Sequence, residues 1–563
     1  MKRKVLSVLL TSAMVMSMAA CGSSETTEAP ASNDAAASTT TDSAAADTKT
    51  DAAASTDAAA DTAADTETAF QLTEPIKAYV DGTVNYVKED SGKEEFVSQL
   101  NAAISEKMGY DVTVEFTALD HSGYTDAVGR MFAGGDYPDV MIMNAGMFRQ
   151  YATTGLLWNM ADAYDNAEFQ SRLTAPGLNE ALKDKDGALY GFTPAIGGGC
   201  PTYVKKAWLD AVGMKAEDIK TYDDFYKMLE AFTTGDPDGN GVNGDTYGFI
   251  SAGLYGQEAP HINYLPDFWQ DGYPGLLKGE DGVWYDGMQT EATKKALLRM
   301  QEAYQAGVID PVSYTAGTKE AREKFWSADQ TGSAGVFCYW AGSWYDNIAT
   351  NLEKNNVNTE LVQLDPIAEV AAIGGYLNRE SPVWVIIDDG DGDDAREQAI
   401  FDAFIEPMLD GDKCQTLWTY GAEGTHWSLK AEAITTGTGD KAKTTEYAEG
   451  EFHCLPTIAD PTTLFKKNHI DNAAVIAPLT NGYSNTSDTV AASNTHFVNN
   501  CVDAPQAPSC DTITNEGVAI TDAIKAVISS VVVEGGDVDA AMQTYVDTVG
   551  SIVDQALSEL NAQ

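Results

Sequence analysis

From Ile76 onward the chain alternates strand-like runs with helix-like ones, and this order constrains the fold more than any other feature. Ile76-Lys77-Ala78-Tyr79-Val80 reads as an opening strand. Phe96, Leu100, Ile104 and Met108 then recur every fourth residue, lining one helical face, and Gly109 stands where a C-terminal cap belongs. Residues 111–116 alternate polar and apolar as a second strand. A helix is predicted near 124–133, and Val140-Met141-Ile142-Met143 forms a third strand. Strand-helix-strand-helix order points to α/β architecture with a largely parallel sheet. A second block has similar punctuation. Thr221 and Asp224 form a capping-box pattern ahead of the apolar stripe Phe225, Met228, Leu229 and Phe232. Ala292, Ala296, Met300 and Tyr304 mark another helix closed by Gly307. The chain has no internal repeat of fixed period.

The foldable stretch is roughly 490 residues, more than one hydrophobic core organises, so two lobes are expected. Before it stand two segments of other kinds. Lys2-Arg3-Lys4 precede an apolar run over 5–20 that ends Met18-Ala19-Ala20-Cys21. This reads as a signal peptide, too short to span a bilayer comfortably as a permanent helix. Residues 22–70 are almost entirely Ala, Ser, Thr, Asp and Glu, with no aromatic before Phe70. Such a stretch buries too little apolar surface to offset its ordering entropy, and it reads as a disordered, self-repelling tether.

A formal charge of -50 and the lack of any basic stripe argue against nucleic-acid binding. The cysteines (Cys21, Cys200, Cys338, Cys414, Cys454, Cys501 and Cys510) include no Cys-x-x-Cys pair, and the histidines no His-Glu-x-x-His. Cys501 and Cys510 are near enough in sequence for a local disulfide, which spacing alone does not establish.

Several collinear segments resemble the extracellular solute-binding proteins that serve ABC importers, above all the large lipoproteins associated with oligosaccharide uptake. They include Gly134-Gly135-Asp136-Tyr137-Pro138-Asp139-Val140, the segment 151–157, Asp186-Gly187-Ala188-Leu189-Tyr190-Gly191 and the segment 206–213. Further along come Ala306-Gly307-Val308-Ile309-Asp310-Pro311, the 420–427 segment Tyr-Gly-Ala-Glu-Gly-Thr-His-Trp, and 335–344, which is similar to the strand and Gly-x-Trp turn of maltose-binding members. The Met-Ala-Ala-Cys sequence likewise resembles the lipobox, in which Cys21 is acylated; acyl chains contribute roughly 0.8 kcal/mol per buried CH₂ toward membrane anchoring.

This resemblance implies a two-lobe, hinged, periplasmic-binding-protein-like α/β fold with discontinuous lobes. The expected divisions are a signal peptide at 1–20, the acylated Cys21 and tether at 21–72, a first lobe from 73–193 and 380–430, and a second lobe from 194–379 and 431–563. It implies a monomer anchored by lipid on the extracellular face of a bacterial membrane, not an enzyme, that captures a carbohydrate in an interlobe cleft for an ABC permease. Two alternatives stay open: the same fold binding a peptide or other small solute, or a surface enzyme degrading polysaccharide with paired carboxylates.

Candidate binding residues follow from chemistry and position. Aromatic faces bind the apolar C–H faces of sugars while polar groups meet the hydroxyls. The resemblance places Trp344 on the stacking turn and Tyr203 after the first crossover; Trp340, Tyr345, Trp269 and Trp427 are further aromatic candidates. Asn144 and Arg149 follow the third strand and Asp81 the first, where open α/β sheets bind ligands. Glu423 and His426 fall in the Tyr-Gly-x-Glu-Gly segment. The loop from Asp236 to Asp245 carries oxygen ligands in EF-hand order: Asp236, Asp238, Asn240, the Val242 carbonyl and Asp245, with Gly241 at position six. Position twelve is Tyr247 rather than Glu, so Asp245 would have to substitute. A structural calcium ion is expected there, against the alternative of an Asx-Gly turn that needs no metal.

Overall fold

The structure is a computed structural model that describes residues 70–562, apart from 83–84, 88–90, 185, 256–274, 373, 380, 440–441, 466–473, 480–486 and 504–509. The signal peptide, Cys21, the tether up to residue 69 and Trp269 lie outside the described residues, and Leu72, at the tether's expected end, is instead buried in the first lobe's core. Residues 71–563 form one compact unit.

In the first lobe β1 (Ile76–Asp81), β2 (Val114–Leu119) and β3 (Val140–Met143) are parallel, with β1 between the other two. The helix Lys93–Met108 connects β1 to β2 and buries Phe96, Leu100, Ala103 and Ile104. Met108 is only half-buried. Glu94 and Glu95 in the first turn and Lys107 in the last suit the helix dipole. Gly109 ends the helix at a φ of 75°, a left-handed conformation that glycine adopts without Cβ strain.

The chain then passes to the second lobe, where β4 (Thr202–Lys205), β5 (Tyr247–Ile250), the hairpin β6 (Leu276–Lys278) and β7 (Trp284–Asp286), β8 (Ala334–Cys338) and β9 (Leu361–Gln363) follow. The main sheet has the order β5-β8-β4-β9. β5 is parallel to β8, but β4 is antiparallel to both β8 and β9, so this sheet is mixed rather than largely parallel. The Thr221 capping box forms in both directions with Asp224, and Phe225, Met228, Leu229 and Phe232 are buried behind it. Two long C-terminal helices, Asp511–Ile528 and Val538–Leu560, complete this lobe's core.

After β10 (Tyr376–Asn378) the chain returns, and β11 (Val383–Ile386) adds to the first sheet antiparallel to β3. Two crossing segments thus lie side by side: Phe192 bridges Trp384, and Gly198 exchanges backbone hydrogen bonds with Arg379. The approach is too close for side chains. A Cβ on Gly197 would lie 1.9 Å from the Arg379 carbonyl oxygen, and one on Gly199 would lie 2.2 Å from that of Leu377.

The expected third crossing near 430 is wrong. β12 (Trp427–Ser428), the hairpin β13 (Glu432–Thr436) and β14 (Lys443–Tyr447), and β15 (His453–Cys454) follow β11 in the chain, with β12 paired to β15. Phe465 then packs on His426, Val475 bridges Leu173, and Ala474 and Val475 join the first lobe's core. Ser487 next donates a hydrogen bond to Asp346 in the second lobe. The chain is therefore still on the first lobe at Val475 and has reached the second by Ser487. A hairpin insertion keeps the chain on the first lobe, and strand-period patterning does not say which core a hairpin serves. β16 (Cys501–Asp503) pairs with β10. Cys501 and Cys510 are both free thiols, so they form no disulfide.

Candidate functional site

The pairing registers show which edge of each sheet meets the crossing segments. In the first lobe the parallel strands end at Asp81, Leu119 and Met143, and β11 starts opposite Met143 directly after the crossing. In the second lobe Thr202 opens β4 opposite Cys338, the last residue of β8. The carboxyl ends of β1, β2, β3, β5 and β8 therefore all lie on the crossing side, the location at which open α/β sheets hold ligands.

The first lobe's edge is polar. Asp81 accepts a hydrogen bond from Nδ1 of the exposed His121 at 2.8 Å. Asn144 caps the helix Ala145–Ala152 by accepting from the Met147 N–H at 3.0 Å, and its amide donates to Thr125 Oγ1. Arg149 lies half-buried on the same helix. Burial, and secondarily the charge of Asp81, raises the Tyr124 phenol, which stays neutral and donates to the Ile142 carbonyl at 2.7 Å.

The second lobe's edge is aromatic and cationic. Residues 339–344 leave the end of β8 and turn into the helix Ser343–Lys354. Trp344 meets Tyr339 edge-to-face, with centroids 4.8 Å apart, and the Arg322 guanidinium sits 4.5 Å from the Trp344 ring centre. Arg322 also donates to the Tyr339 hydroxyl at 2.7 Å. At the crossing itself the Arg379 guanidinium lies 5.0 Å from the ring centre of the half-buried Trp340, beside Gly198. Cation–π contacts of this kind attract the guanidinium to the ring and favour the observed arrangement. Arg322, Arg379, His121 and Thr125 were not among the sequence candidates. The Gly197-Gly198-Gly199 run was the one local signal of the hinge, whereas Arg322 meets Trp344 only through the fold.

Three candidates prove to be packing residues. Tyr203 is 0% exposed; its hydroxyl donates to the Trp340 carbonyl at 2.8 Å and its ring packs edge-on against Tyr345. It has no surface to offer a ligand, although its bond helps set the Trp340 backbone. Trp427 is buried, donates from its indole to the Gly421 carbonyl and stacks on Phe452. His426 is buried between Tyr86 and Phe465. It accepts from the Ala422 N–H and donates from Nε2 to the Ser91 carbonyl, which requires the neutral ring; burial lowers its pKa to match. Glu423 is exposed in the turn beside them. Tyr345 is half-buried and donates to the Leu361 carbonyl.

The 236–245 loop coils through Gly239, Gly241 and Gly244, all at positive φ. Asp236 accepts from the Gly241 N–H, Asn240 accepts from the Val242 N–H, and the Asn240 amide donates to Asp245. Asp236 Oδ1 and Asp245 Oδ1 are buried with no hydrogen-bond partner. Burial and a hydrogen bond with Asp236 raise the Asp238 carboxyl. Orphaned carboxylate oxygens in an all-oxygen loop fit a hard cation such as calcium. Asp236, Asp238, Asn240, the Val242 carbonyl and Asp245 would hold it, and its charge would relieve the crowding of the carboxylates.

The sequence profile of the family described as bacterial extracellular solute-binding protein matches residues 99–399, more than half of the chain. Among curated relatives, the polygalacturonan/rhamnogalacturonan-binding protein YtcQ of Bacillus subtilis (strain 168) is 24% identical over 335 residues, 55% of this chain and 61% of that protein. Lipoprotein LipO of the same organism is 26% identical over 202 residues, 35% of this chain and 39% of that one. The chain thus spans less than two thirds of either relative. A solved structure of the Streptococcus pneumoniae substrate-binding protein FusA, an EF-hand mutant in complex with fructo-nystose, shares the fold at a TM-score of 0.54 and 16% identity. The match covers 86% of this chain and 97% of that one. Among the described residues, no helix is long and apolar enough to cross a membrane.

Proposed function

The chain belongs to the family of bacterial extracellular solute-binding proteins, and from that premise we propose that it captures an oligosaccharide between its lobes and hands it to an ABC permease. One observation carries this reading. Two tryptophans, Trp340 and Trp344, each held by a guanidinium, stand on the crossing-side edge of the second lobe. Rings supply apolar faces for sugar C–H groups, and guanidinium, amide and carboxylate groups supply hydrogen bonds for hydroxyls. Closure of the lobes would be driven by contacts that ligand makes only in the closed state. The names of YtcQ and of the FusA complex, both carbohydrate binders, support this ligand class. In this reading Asp81, Asn144 and Arg149 contribute polar contacts from the facing lobe.

Titration calorimetry tests the proposal, using fructo-oligosaccharides, pectic oligosaccharides and short peptides against the full chain. Saturable sugar binding that weakens in Trp340→Ala and Trp344→Ala is the expected result. Binding of peptides alone would assign the fold to another solute, and release of shortened sugars would assign it to an enzyme. Cys21 is proposed as the lipid-bearing residue of a monomeric surface lipoprotein, a reading that the name of LipO supports. Cys21→Ala should release the protein from membranes. The 236–245 loop is proposed as a structural calcium site, which the EF-hand of FusA supports. Chelation should then lower the melting temperature, because it removes the RT ln(1 + [L]/Kd) of stability that a native-state ligand adds, about 2.7 kcal/mol at a hundredfold excess over Kd.

A further inference from the structure

A second acidic loop follows β11 in the first lobe. Its sequence runs Asp388-Asp389-Gly390-Asp391-Gly392-Asp393-Asp394, and the helix Ala395–Ile400 begins immediately after it. Successive side chains coil the loop: Asp388 accepts from the Gly390 N–H, Asp389 from Asp391, Asp391 from Asp393, and Asp393 from Ala395. Such turns form without any ion. The informative residue is Glu397, in the first turn of the helix. It is 2% exposed, its Oε1 accepts from the Asp389 N–H at 3.1 Å, and its buried Oε2 has no hydrogen-bond partner. One carboxylate oxygen from each of Asp388, Asp389 and Glu397 falls within 4.8 Å of the others.

Two oxygens on opposite sides of one calcium ion stand roughly 4.6–5.2 Å apart, and neighbouring ligands stand closer. Three carboxylates gathered within about that span need only small side-chain shifts to converge on a single ion. The donors are all oxygen, with neither imidazole nor thiolate among them, which selects a hard divalent cation over zinc or copper. The nearest cation on the helix, Arg396, is paired with Asp139 at 2.6 Å, so it is committed elsewhere. Burial raises the Glu397 carboxyl, and the charges of Asp389 and Asp388 raise it further.

We propose that Asp388, Asp389 and Glu397 form a second calcium site, which ties the end of β11 to the helix that follows it. The place is structurally consequential. β11 is the strand that re-enters the first lobe from the crossing, and the helix leads into Phe401, Phe404 and Ile405 of that lobe's core. An ion here would brace the segment that follows the crossing at Arg379. The site is independent of the 236–245 loop, which lies in the other lobe.

Calcium titration of the full chain in 0.15 M salt, where diffuse binding to the acidic surface is screened, tests the site. Stoichiometry is read by calorimetry in the unsubstituted chain, in Asp236→Asn/Asp245→Asn, and in each of these with Glu397→Gln. Asp389→Asn is made in parallel, because its half-exposed position makes misfolding a smaller concern, and circular dichroism checks every variant. The expected result is that the Asp236→Asn/Asp245→Asn protein keeps one equivalent of calcium. Adding Glu397→Gln or Asp389→Asn should remove it or weaken it at least tenfold. Retention of that equivalent in both folded variants would overturn the proposal, as would its absence from Asp236→Asn/Asp245→Asn. A failure of the 236–245 site alone would appear separately, as an unsubstituted chain that binds one equivalent and loses it with Glu397→Gln.

Discussion

Trp340 and Trp344 on one side, and Tyr203, His426 and Trp427 on the other, put similar chemistry to opposite uses. The first pair is half-exposed at the crossing-side edge of the second lobe, and each ring lies against an arginine. The second group is buried, with its polar atoms bonded to backbone carbonyls or amides. A buried donor that must find a partner becomes part of the scaffold, whereas a ring that stays half-exposed at an edge leaves part of its surface for other contacts. Ring type does not separate the groups. What lies over the ring does.

The comparison breaks most visibly at Trp427. Trp427→Ala should cost about 3–5 kcal/mol in denaturant unfolding, the usual range for an aromatic removed from a core. The affinity of the surviving folded protein should stay unchanged; a loss of affinity with normal stability would move Trp427 into the site. Trp344→Ala should do the reverse. Oligosaccharide affinity should fall roughly tenfold, about 1.4 kcal/mol, with a smaller change in unfolding midpoint. Tyr203→Phe removes one hydroxyl and should cost about 1 kcal/mol, read as a shift in the same midpoint. If it also weakens sugar binding, the bond to the Trp340 carbonyl is orienting Trp340.

His426 gives the smallest effect, and its sign is definite. Burial lowers its pKa in the folded state, while the unfolded chain takes up a proton near pH 6.5. Its contribution is therefore complete above about pH 6.5 and is lost as pH falls from there through the folded-state value. The drop in melting temperature between pH 7 and pH 5.5 should shrink in His426→Gln. An unchanged drop would mean that other groups carry the acid sensitivity.

Much of the scaffold was legible in the chain. The Phe96, Leu100 and Ile104 stripe, the Gly109 cap and the Thr221–Asp224 box all form as read, because each depends on residues within a turn or two of one another. The mixed second sheet and the late third crossing were not legible. Whether β4 runs parallel or antiparallel to β8, and which core the hairpin from Glu432 to Tyr447 serves, depend on contacts more than a hundred residues away in the chain or on a choice between two apolar surfaces of equal appeal.

The same division holds for the sites. The 236–245 loop could be recognised because its ligands are consecutive, so local spacing alone brings the oxygens together. By itself the sequence determined the alternation of elements, the helix caps, the loop chemistry and the family. Only tertiary structure decided that Tyr203 is covered and Trp344 half-exposed, that Arg322 reaches Trp344, and that Glu397 is buried beside Asp388 and Asp389. Exposure and the pairing of distant charges are properties of how elements pack, and no pattern confined to one element encodes what the opposing element places over it.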